Sequence, residues 1–150
     1  MLLLKDGGGI KEQPIMLIGE EEGRIEVATV MEDGRLKIFS QLQLPEFNGA
    51  IRVTKLMRLD KNHVLCVYYR RFLYIIHLPS LTFPSFFELP QPIPEGSQWP
   101  EEIYIKDACI LTPSKNERNQ VELVLAVEKW GLLNVLIHSK SDGKHWFKVT

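Results

Sequence analysis

Short apolar runs alternate with polar turn segments along most of this chain. The runs are rich in Val, Ile, Leu, Tyr and Phe and are bounded by Gly, Pro, Asp or Asn, which is typical of β-strands. They are 25–30, 36–39, 51–59, 64–69, 72–78, 103–111, 121–127 and 132–137. No window shows the i, i+3, i+4, i+7 spacing of a capped amphipathic helix. The pattern therefore predicts an all-β protein.

The last ten residues extend this pattern to the end of the sequence. Asp142-Gly143 is a dipeptide typical of tight hairpin turns, and residues 145–149 after it alternate in polarity. We therefore expect a final strand there, with His145, Phe147 and Val149 on one face and Trp146 and Lys148 on the other.

Three stretches of the sequence resemble one another. The segments "IMLIGEEEGRIEVATV", "VLCVYYRRFLYIIHL" and "LVLAVEKWGLLNVLIH" each contain two strands around a short charged or glycine-bearing turn. A further strand precedes and follows each pair. Corresponding strands recur at a spacing of roughly 48 to 60 residues, which is the range of propeller blades. We predict a single β domain over 1–150 with four-stranded antiparallel repeats at about 1–44, 51–89 and 103–150.

A β-sandwich or closed barrel with regular meanders is the alternative fold. Such proteins also place turn signals every 8–12 residues. The longer connections "PEFNGA" and "PQPIPEGSQWP" fall where one repeat would pass to the next. They favour separate blades, and hence a partial β-propeller.

Two segments carry a resemblance to a known superfamily. "KNERNQVELVLAVEKWGLLNVLIH" and "GGGIKEQPIMLIGEEEGRIEVATV" are similar to the WD-like and FG-GAP blades of β-propellers, in which a polar loop leads into a strand, a glycine turn and a second strand. The resemblance implies a propeller fold. The loops 5–13 and 114–120 lack the alternating aspartates of calcium-binding blades, so no calcium site is expected.

Three blades form an open arc, whereas closed propellers have typically four to eight. The apolar faces at the ends of the arc need cover. We expect a protein partner, a second copy of the chain or further blades of a longer polypeptide to supply it, because both ends of the sequence look cut from a larger ring.

Charge and cysteine content restrict the classes of partner and compartment. The chain has 18 basic and 19 acidic residues and a net charge of -1, which predicts no direct binding to nucleic acid or to a membrane. Cys66 and Cys109 lie in apolar runs and are expected to be buried thiols in a reducing compartment. The N-terminal apolar run is too short for a secretory signal. We therefore expect a cytoplasmic or nuclear protein.

The sequence carries no catalytic or cofactor-binding signature. The four histidines and two cysteines have no zinc-ligand spacing, and no serine has the context of a nucleophile elbow. The run Gly7-Gly8-Gly9 lacks the lysine and hydroxyl residue of a phosphate-binding loop. We predict no catalytic residues, no metal and no cofactor.

Two features are typical of partner-binding surfaces. Arg70 and Arg71 interrupt an aromatic-rich strand pair, and arginine beside aromatic residues is the composition of interface hot spots. Further aromatic residues occur in a proline-rich connection and in the last strand. The candidate contacts are Arg70, Arg71, Phe83, Phe86, Phe87, Trp99 and Trp146.

From these observations we predict a non-enzymatic scaffold for protein–protein interaction. In this interpretation a partial propeller docks in a larger assembly through its open edges and the connection 90–100. The alternative is a self-contained sandwich or barrel that binds a peptide or small ligand in a groove beside Trp99, Arg70 and Arg71.

Overall fold

A computed structural model describes residues 1–20, 23–44, 52–91, 95–98, 103–111 and 120–150. These residues form twelve β-strands and a short 3-10 helix at Gly7–Gly9. The strands make three antiparallel sheets of four strands each, and every sheet is built from strands that are consecutive in sequence. Among the described residues, short turns at 31–35, 61–62, 69–71, 78–81, 128–130 and 140–144 connect consecutive strands of the same sheet.

In each sheet the strands lie side by side in sequence order, from the inner edge of the sheet to its outer edge. Sheet 1 consists of β1 (Leu2–Leu4), β2 (Ile15–Gly19), β3 (Arg24–Val30) and β4 (Leu36–Gln43). Sheet 2 consists of β5 (Val53–Asp60), β6 (His63–Tyr68), β7 (Phe72–His77) and β8 (Thr82–Glu88). Sheet 3 consists of β9 (Ile105–Ile110), β10 (Gln120–Val127), β11 (Gly131–Ser139) and β12 (His145–Val149).

Sheet 2 lies between the other two sheets. Strands β6 and β7 are continuous apolar runs that are almost completely buried, because both of their faces are covered. Val64, Cys66 and Tyr68 pack towards sheet 1, whereas Leu65 and Val67 pack towards sheet 3. We call the interface of sheets 1 and 2 the first seam and that of sheets 2 and 3 the second seam.

Sheets 1 and 3 each bury one face against sheet 2. Strand β10 alternates strictly between buried and half-buried positions, which is the pattern of a one-sided sheet. Apolar side chains on the outer sheets remain exposed, including Ile38 at 54% and Leu132 at 75%. The inner strand β5 contacts β1, β2 and β9, and the outer strands β8 and β12 contact each other. The described strands therefore form a partial β-propeller of three blades.

The predicted all-β fold with three four-stranded antiparallel repeats is confirmed, and the sandwich or barrel alternative is wrong. A sandwich has two facing sheets and a barrel one closed sheet, whereas the described strands form three separate sheets. Among the residues described, no helix is long and apolar enough to cross a membrane.

The expectation for the two cysteines holds for one of them. Cys66 is a free, buried thiol in the first seam, where burial raises its pKa. Cys109 is free as well but exposed, because it lies on β9, whose alternate residues face away from the core.

The first seam is closed by packing and by one ion pair. Gly23, with φ of +73°, leaves room for the Tyr68 ring: a Cβ at that position would lie 2.5 Å from the Tyr68 hydroxyl oxygen. Arg58 on β5 donates to both carboxylate oxygens of Asp6, with both N to O distances at 2.9 Å. These bonds, together with one from the Gly8 amide, lower the pKa of Asp6 from 3.8 to about 2.

Candidate functional site

A pocket lies at the inner edge of the second seam, where β5 and β9 begin. It has a volume of about 360 Å³, within the range of small-molecule sites. The inner strands of propeller blades surround the central channel, so the pocket opens on that side of the molecule. Its described lining residues are Arg52, Thr54, Tyr69, Arg70 and Tyr104, and we call it the arginine–tyrosine pocket.

The turn between β6 and β7 supplies two of these residues in a strained conformation. Tyr69 and Arg70 have φ of 54° and 52°, a left-handed region that costs a residue with a side chain about 1–2 kcal/mol. The Arg71 amide donates to the Tyr68 carbonyl at 3.2 Å and closes the turn. Asn-Gly is the usual pair for two consecutive positive φ angles, so tyrosine and arginine are unfavourable residues at these two positions.

Backbone hydrogen bonds on both sides keep this turn in place. The Tyr69 amide donates to the carbonyl of Arg52 at 3.0 Å, and the Ile105 amide donates to the carbonyl of Arg70 at 2.6 Å. The turn thus joins the start of β5 to the start of β9. Strain of this kind persists where the surroundings determine the conformation, and it concentrates at functional sites.

The described lining of the pocket is cationic and partly aromatic. It contains two guanidinium groups, and none of its described lining residues is a carboxylate. The rings of Tyr69 and Tyr104 meet edge to face, with centroids 6.2 Å apart. Thr54 donates its hydroxyl to the Val67 carbonyl at 2.9 Å, which holds that side chain in the wall. Arginine binds carboxylate and phosphate groups with two parallel hydrogen bonds, so this lining is suited to an anion.

A smaller pocket of about 210 Å³ adjoins the arginine–tyrosine pocket along β5 and β9. It shares Thr54 and Arg70 with the pocket and is also lined by Lys55, Lys106 and Asp107. Lys55 donates to Asp107 at 2.9 Å, and this hydrogen bond is the main cause of the lowered pKa of Asp107. Lys55 and Asp107 compensate each other, and the other cationic side chains among the described residues that line the two pockets are Arg52, Arg70 and Lys106.

A second cluster lies at the opposite end of the second seam. Asp60 ends β5, His63 begins β6 and His145 begins β12, and one potential metal-ligand atom from each lies within 4.8 Å of the others. The rings of His63 and His145 meet edge to face with centroids 4.6 Å apart. The His145 amide donates to Ser85 Oγ on β8 at 2.8 Å, which fixes the start of β12 against sheet 2.

The structure separates the two adjacent arginines that the sequence singles out. Arg70 lines the pocket, whereas Arg71 turns away and donates to Glu88 on β8 at 2.6 Å. The Arg71 guanidinium carbon also lies 5.7 Å from the Phe72 ring centroid. These contacts tie Arg71 within its own sheet.

The predicted aromatic contacts are distributed over both seams. Phe83 and Phe86 lie on β8 against Tyr74, and Phe86 is 61% exposed. Phe87 points to the second seam, where its ring centroid is 5.4 Å from that of Phe147. The three phenylalanines are in a strand, not in the proline-rich connection, because residues 82–88 pair with β7.

The two tryptophan candidates have different outcomes. Trp146 is 37% exposed on β12 with its ring beside His138, at a centroid distance of 4.9 Å. Trp99 lies outside the described residues. Contact of any of these residues with a partner stays a prediction.

Sequence reasoning missed most of both clusters. Arg52, Tyr69 and Tyr104 come from three segments that meet only when sheet 3 packs on sheet 2. Asp60 and His63 form a local D-x-x-H pair at a turn, which is a usable signal, but His145 is 82 residues further along the chain. Spacing rules for metal ligands do not cover such a separation.

Comparison with known proteins returned one solved structure with the same fold. No family model and no curated protein sequence matches the chain. The periplasmic gluconolactonase of Pseudomonas aeruginosa superposes with a TM-score of 0.54 at 13% sequence identity. The match covers 86% of this chain and 33% of the gluconolactonase, so the chain spans about a third of that protein's length. At this identity the similarity shows a shared propeller-like fold.

The match contradicts three of our expectations. The similar protein is an enzyme, so the prediction that the chain is not an enzyme and serves as a non-enzymatic scaffold is wrong. The lack of a local motif is weak ground for excluding catalysis, because function resides in sites grafted on a fold. The similar protein is also periplasmic, which contradicts the expected cytoplasmic or nuclear location. Two free thiols are compatible with more than one compartment.

Proposed function

We propose that the chain binds a small, hydroxyl-rich carboxylate of the sugar-acid class in the arginine–tyrosine pocket, as part of a propeller enzyme that acts on such a compound or its lactone. The observation that carries the proposal is the pairing of Arg52 and Arg70 around a cavity of about 360 Å³. Two guanidinium groups favour an anion, and the tyrosines offer a ring face and hydroxyl groups to the rest of the ligand.

The strained turn supports the same interpretation. Tyr69 and Arg70 occupy left-handed positions that would be more favourable for asparagine or glycine. A role in ligand binding gives a physical reason for keeping these two side chains at a cost in stability. Gluconate is the first probe to use because the similar solved protein is described as a gluconolactonase.

Calorimetric titration with gluconate and with glucose tests the proposal. The two compounds share most of their hydroxyl groups, but only gluconate carries a carboxylate. We expect saturable binding of gluconate and little heat from glucose. Arg70→Gln should weaken the affinity for gluconate by about 10- to 100-fold, the cost of losing a charged hydrogen bond.

The neighbouring arginine is the matched control. Arg71→Gln removes the same charge one residue away but leaves the described pocket lining intact, because Arg71 pairs with Glu88. It should change the affinity by less than about twofold. Equal losses in both variants, or equal binding of gluconate and glucose, would contradict a carboxylate site at this pocket.

Two further properties are proposals of their own. We keep the assignment of the sheets to WD-like or FG-GAP-like blades, supported by the strand, glycine turn and strand order around Gly131. We also propose that a protein partner or a second copy covers the outer faces of sheets 1 and 3, supported by the exposure of Ile38 and Leu132. Light scattering after size exclusion measures the mass of the particle in solution and so tests whether a partner or a second copy is bound.

A further inference from the structure

We propose that Asp60, His63 and His145 bind a divalent transition-metal ion of the zinc type and thereby join sheets 2 and 3. The three residues lie at the end of the second seam opposite the arginine–tyrosine pocket. The inference is independent of the proposed ligand of that pocket, because the two sites share no residue.

The distances are close to those of a metal site. Zinc bonds of about 2.0–2.2 Å in tetrahedral geometry place ligand atoms roughly 3.3 Å apart. Here one ligand atom of each residue lies within 4.8 Å of the others, so side-chain shifts of about an ångström bring them to a common ion. No large movement of the backbone is needed.

The surrounding contacts hold two of the ligands near this geometry. Asp60 Oδ1 accepts from the Asn62 amide at 2.9 Å, which orients this carboxylate. His63 Nδ1 lies 2.8 Å from the same oxygen, and an ion bound between these side chains would replace that direct contact. The bond from the His145 amide to Ser85 Oγ anchors the third ligand from the other sheet. Hydrogen bonds of this kind orient metal ligands and contribute to affinity.

The donor set selects the class of metal. Two imidazoles and one carboxylate suit zinc and similar borderline ions, whereas calcium takes six to eight oxygen ligands. The side chains of Asp60 and His63 are 18% and 14% exposed, and His145 is buried. Three protein ligands fill three of the four tetrahedral positions of zinc and leave the fourth to water or to another donor.

Nearby charges are compatible with a bound cation. Arg58 is the cation next to Asp60, since its Nε donates to the Asp60 carbonyl at 3.1 Å. Its guanidinium also binds both oxygens of Asp6, so that charge is compensated by a carboxylate. His77 lies beside the cluster, with its ring centroid 5.2 Å from that of His63, and adds another imidazole next to the site.

Titration of the metal-free full chain with zinc chloride tests the site directly. We expect binding of one ion per chain and, at a free zinc concentration of about 100 times the Kd, a rise in Tm of roughly 5–10 °C that is reversed by a chelator. Cobalt(II) in place of zinc should give the visible absorption of a tetrahedral nitrogen and oxygen site.

Conservative variants identify the ligands. Asp60→Asn, His63→Gln and His145→Gln should each weaken zinc binding by at least about tenfold, since even outer-shell partners contribute that much. His138→Gln is the matched control, because His138 is on the neighbouring strand against Trp146 and outside the cluster. It should bind zinc as the unaltered chain does.

Circular dichroism of each variant shows whether it is folded. If a histidine variant does not fold, Asp60→Asn still tests the proposal. Absence of one-to-one binding in the unaltered chain would overturn the proposal. The proposal would also be overturned if the three ligand variants bound zinc as strongly as the His138→Gln control. The ion would then be held elsewhere.

Discussion

The two seams of this propeller arc are built from the same central sheet but differ in what lies at their ends. The first seam is closed by close packing of Gly23 on Tyr68 and by the exposed pair of Asp6 and Arg58. The second seam has an apolar centre of similar kind, but a cationic pocket at one end and a histidine–carboxylate cluster at the other. Packing and an ion pair account for the described contacts of the first seam, whereas the polar groups at the ends of the second seam need a further explanation.

The difference indicates that the ends of the second seam can carry ligand-binding residues without loss of packing between sheets 2 and 3. Buried apolar residues hold both seams together, so the polar groups of the second seam are not needed to attach sheet 3. Two consecutive left-handed residues with large side chains, or several imidazoles gathered together, are better explained by a ligand than by folding. If this is correct, changes in the first seam should alter stability alone, and changes at the ends of the second seam should alter binding.

The largest expected effect comes from filling the gap in the first seam. Gly23→Ala places a methyl group against the Tyr68 hydroxyl and an L side chain at φ of +73°. We expect the free energy of unfolding to fall by about 2–4 kcal/mol, measured by urea denaturation. Gluconate affinity of the folded fraction should be unchanged.

Gly34→Ala is the control for this prediction. Gly34 has φ of +85°, but a Cβ there would meet no atom within 4 Å. Its cost should be limited to the backbone, about 1 kcal/mol. If the two variants cost the same, close packing does not govern the first seam.

The next effect separates strain from binding in the second seam. Arg70→Asn puts a residue that tolerates left-handed angles at φ of 52°, and Lys129→Asn makes the same change at φ of 65° in the equivalent turn of sheet 3. The free energy of unfolding of both variants, measured by thermal denaturation, should rise by up to about 1 kcal/mol, since asparagine reduces the cost of the left-handed conformation. Arg70→Asn alone should lose gluconate affinity. Retention of affinity would show that the strained arginine has another purpose.

The smallest effect concerns the ion pair of the first seam. The folded-state pKa of Asp6 lies below its ordinary value, so the pair stabilises the fold above about pH 4 and loses this contribution as the pH falls towards about 2. Both side chains are partly exposed, which limits the contribution to less than about 1 kcal/mol. Asp6→Asn should reduce stability slightly at pH 7 and make it less dependent on pH between 4 and 2.

Local patterning was sufficient to predict the sheets but not the clusters between them. The run "VLCVYYRRFLYIIHL" specifies a hairpin because its apolar residues are bounded by a charged turn, and the same logic applies to the "EDGR" and "SDGK" turns. It does not specify that Arg70 faces a pocket while Arg71 pairs with Glu88. That choice depends on two consecutive left-handed residues, which tyrosine and arginine rarely adopt.

The histidine–carboxylate cluster could not be predicted from the sequence, for a different reason. Asp60 and His63 are neighbours in the sequence, but His145 reaches them only through the contact of β12 with β8. Contacts between blades depend on how sheets stack, and periodicity within a strand contains no information on that. The exposed position of Cys109 was missed for the same reason, since its apolar surroundings in sequence do not reveal which face of β9 is covered.

Mapping the amide chemical shifts of the isotope-labelled chain during a gluconate titration tests the central claim most directly. We predict that the shifts concentrate at Tyr69, Arg70 and Tyr104, which line the arginine–tyrosine pocket. Gly19 and Gly23 in the first seam and His63 at the far end of the second seam should not move. Shifts centred on either of those regions, or none at saturating gluconate, would contradict the assignment of ligand binding to the pocket end of the second seam.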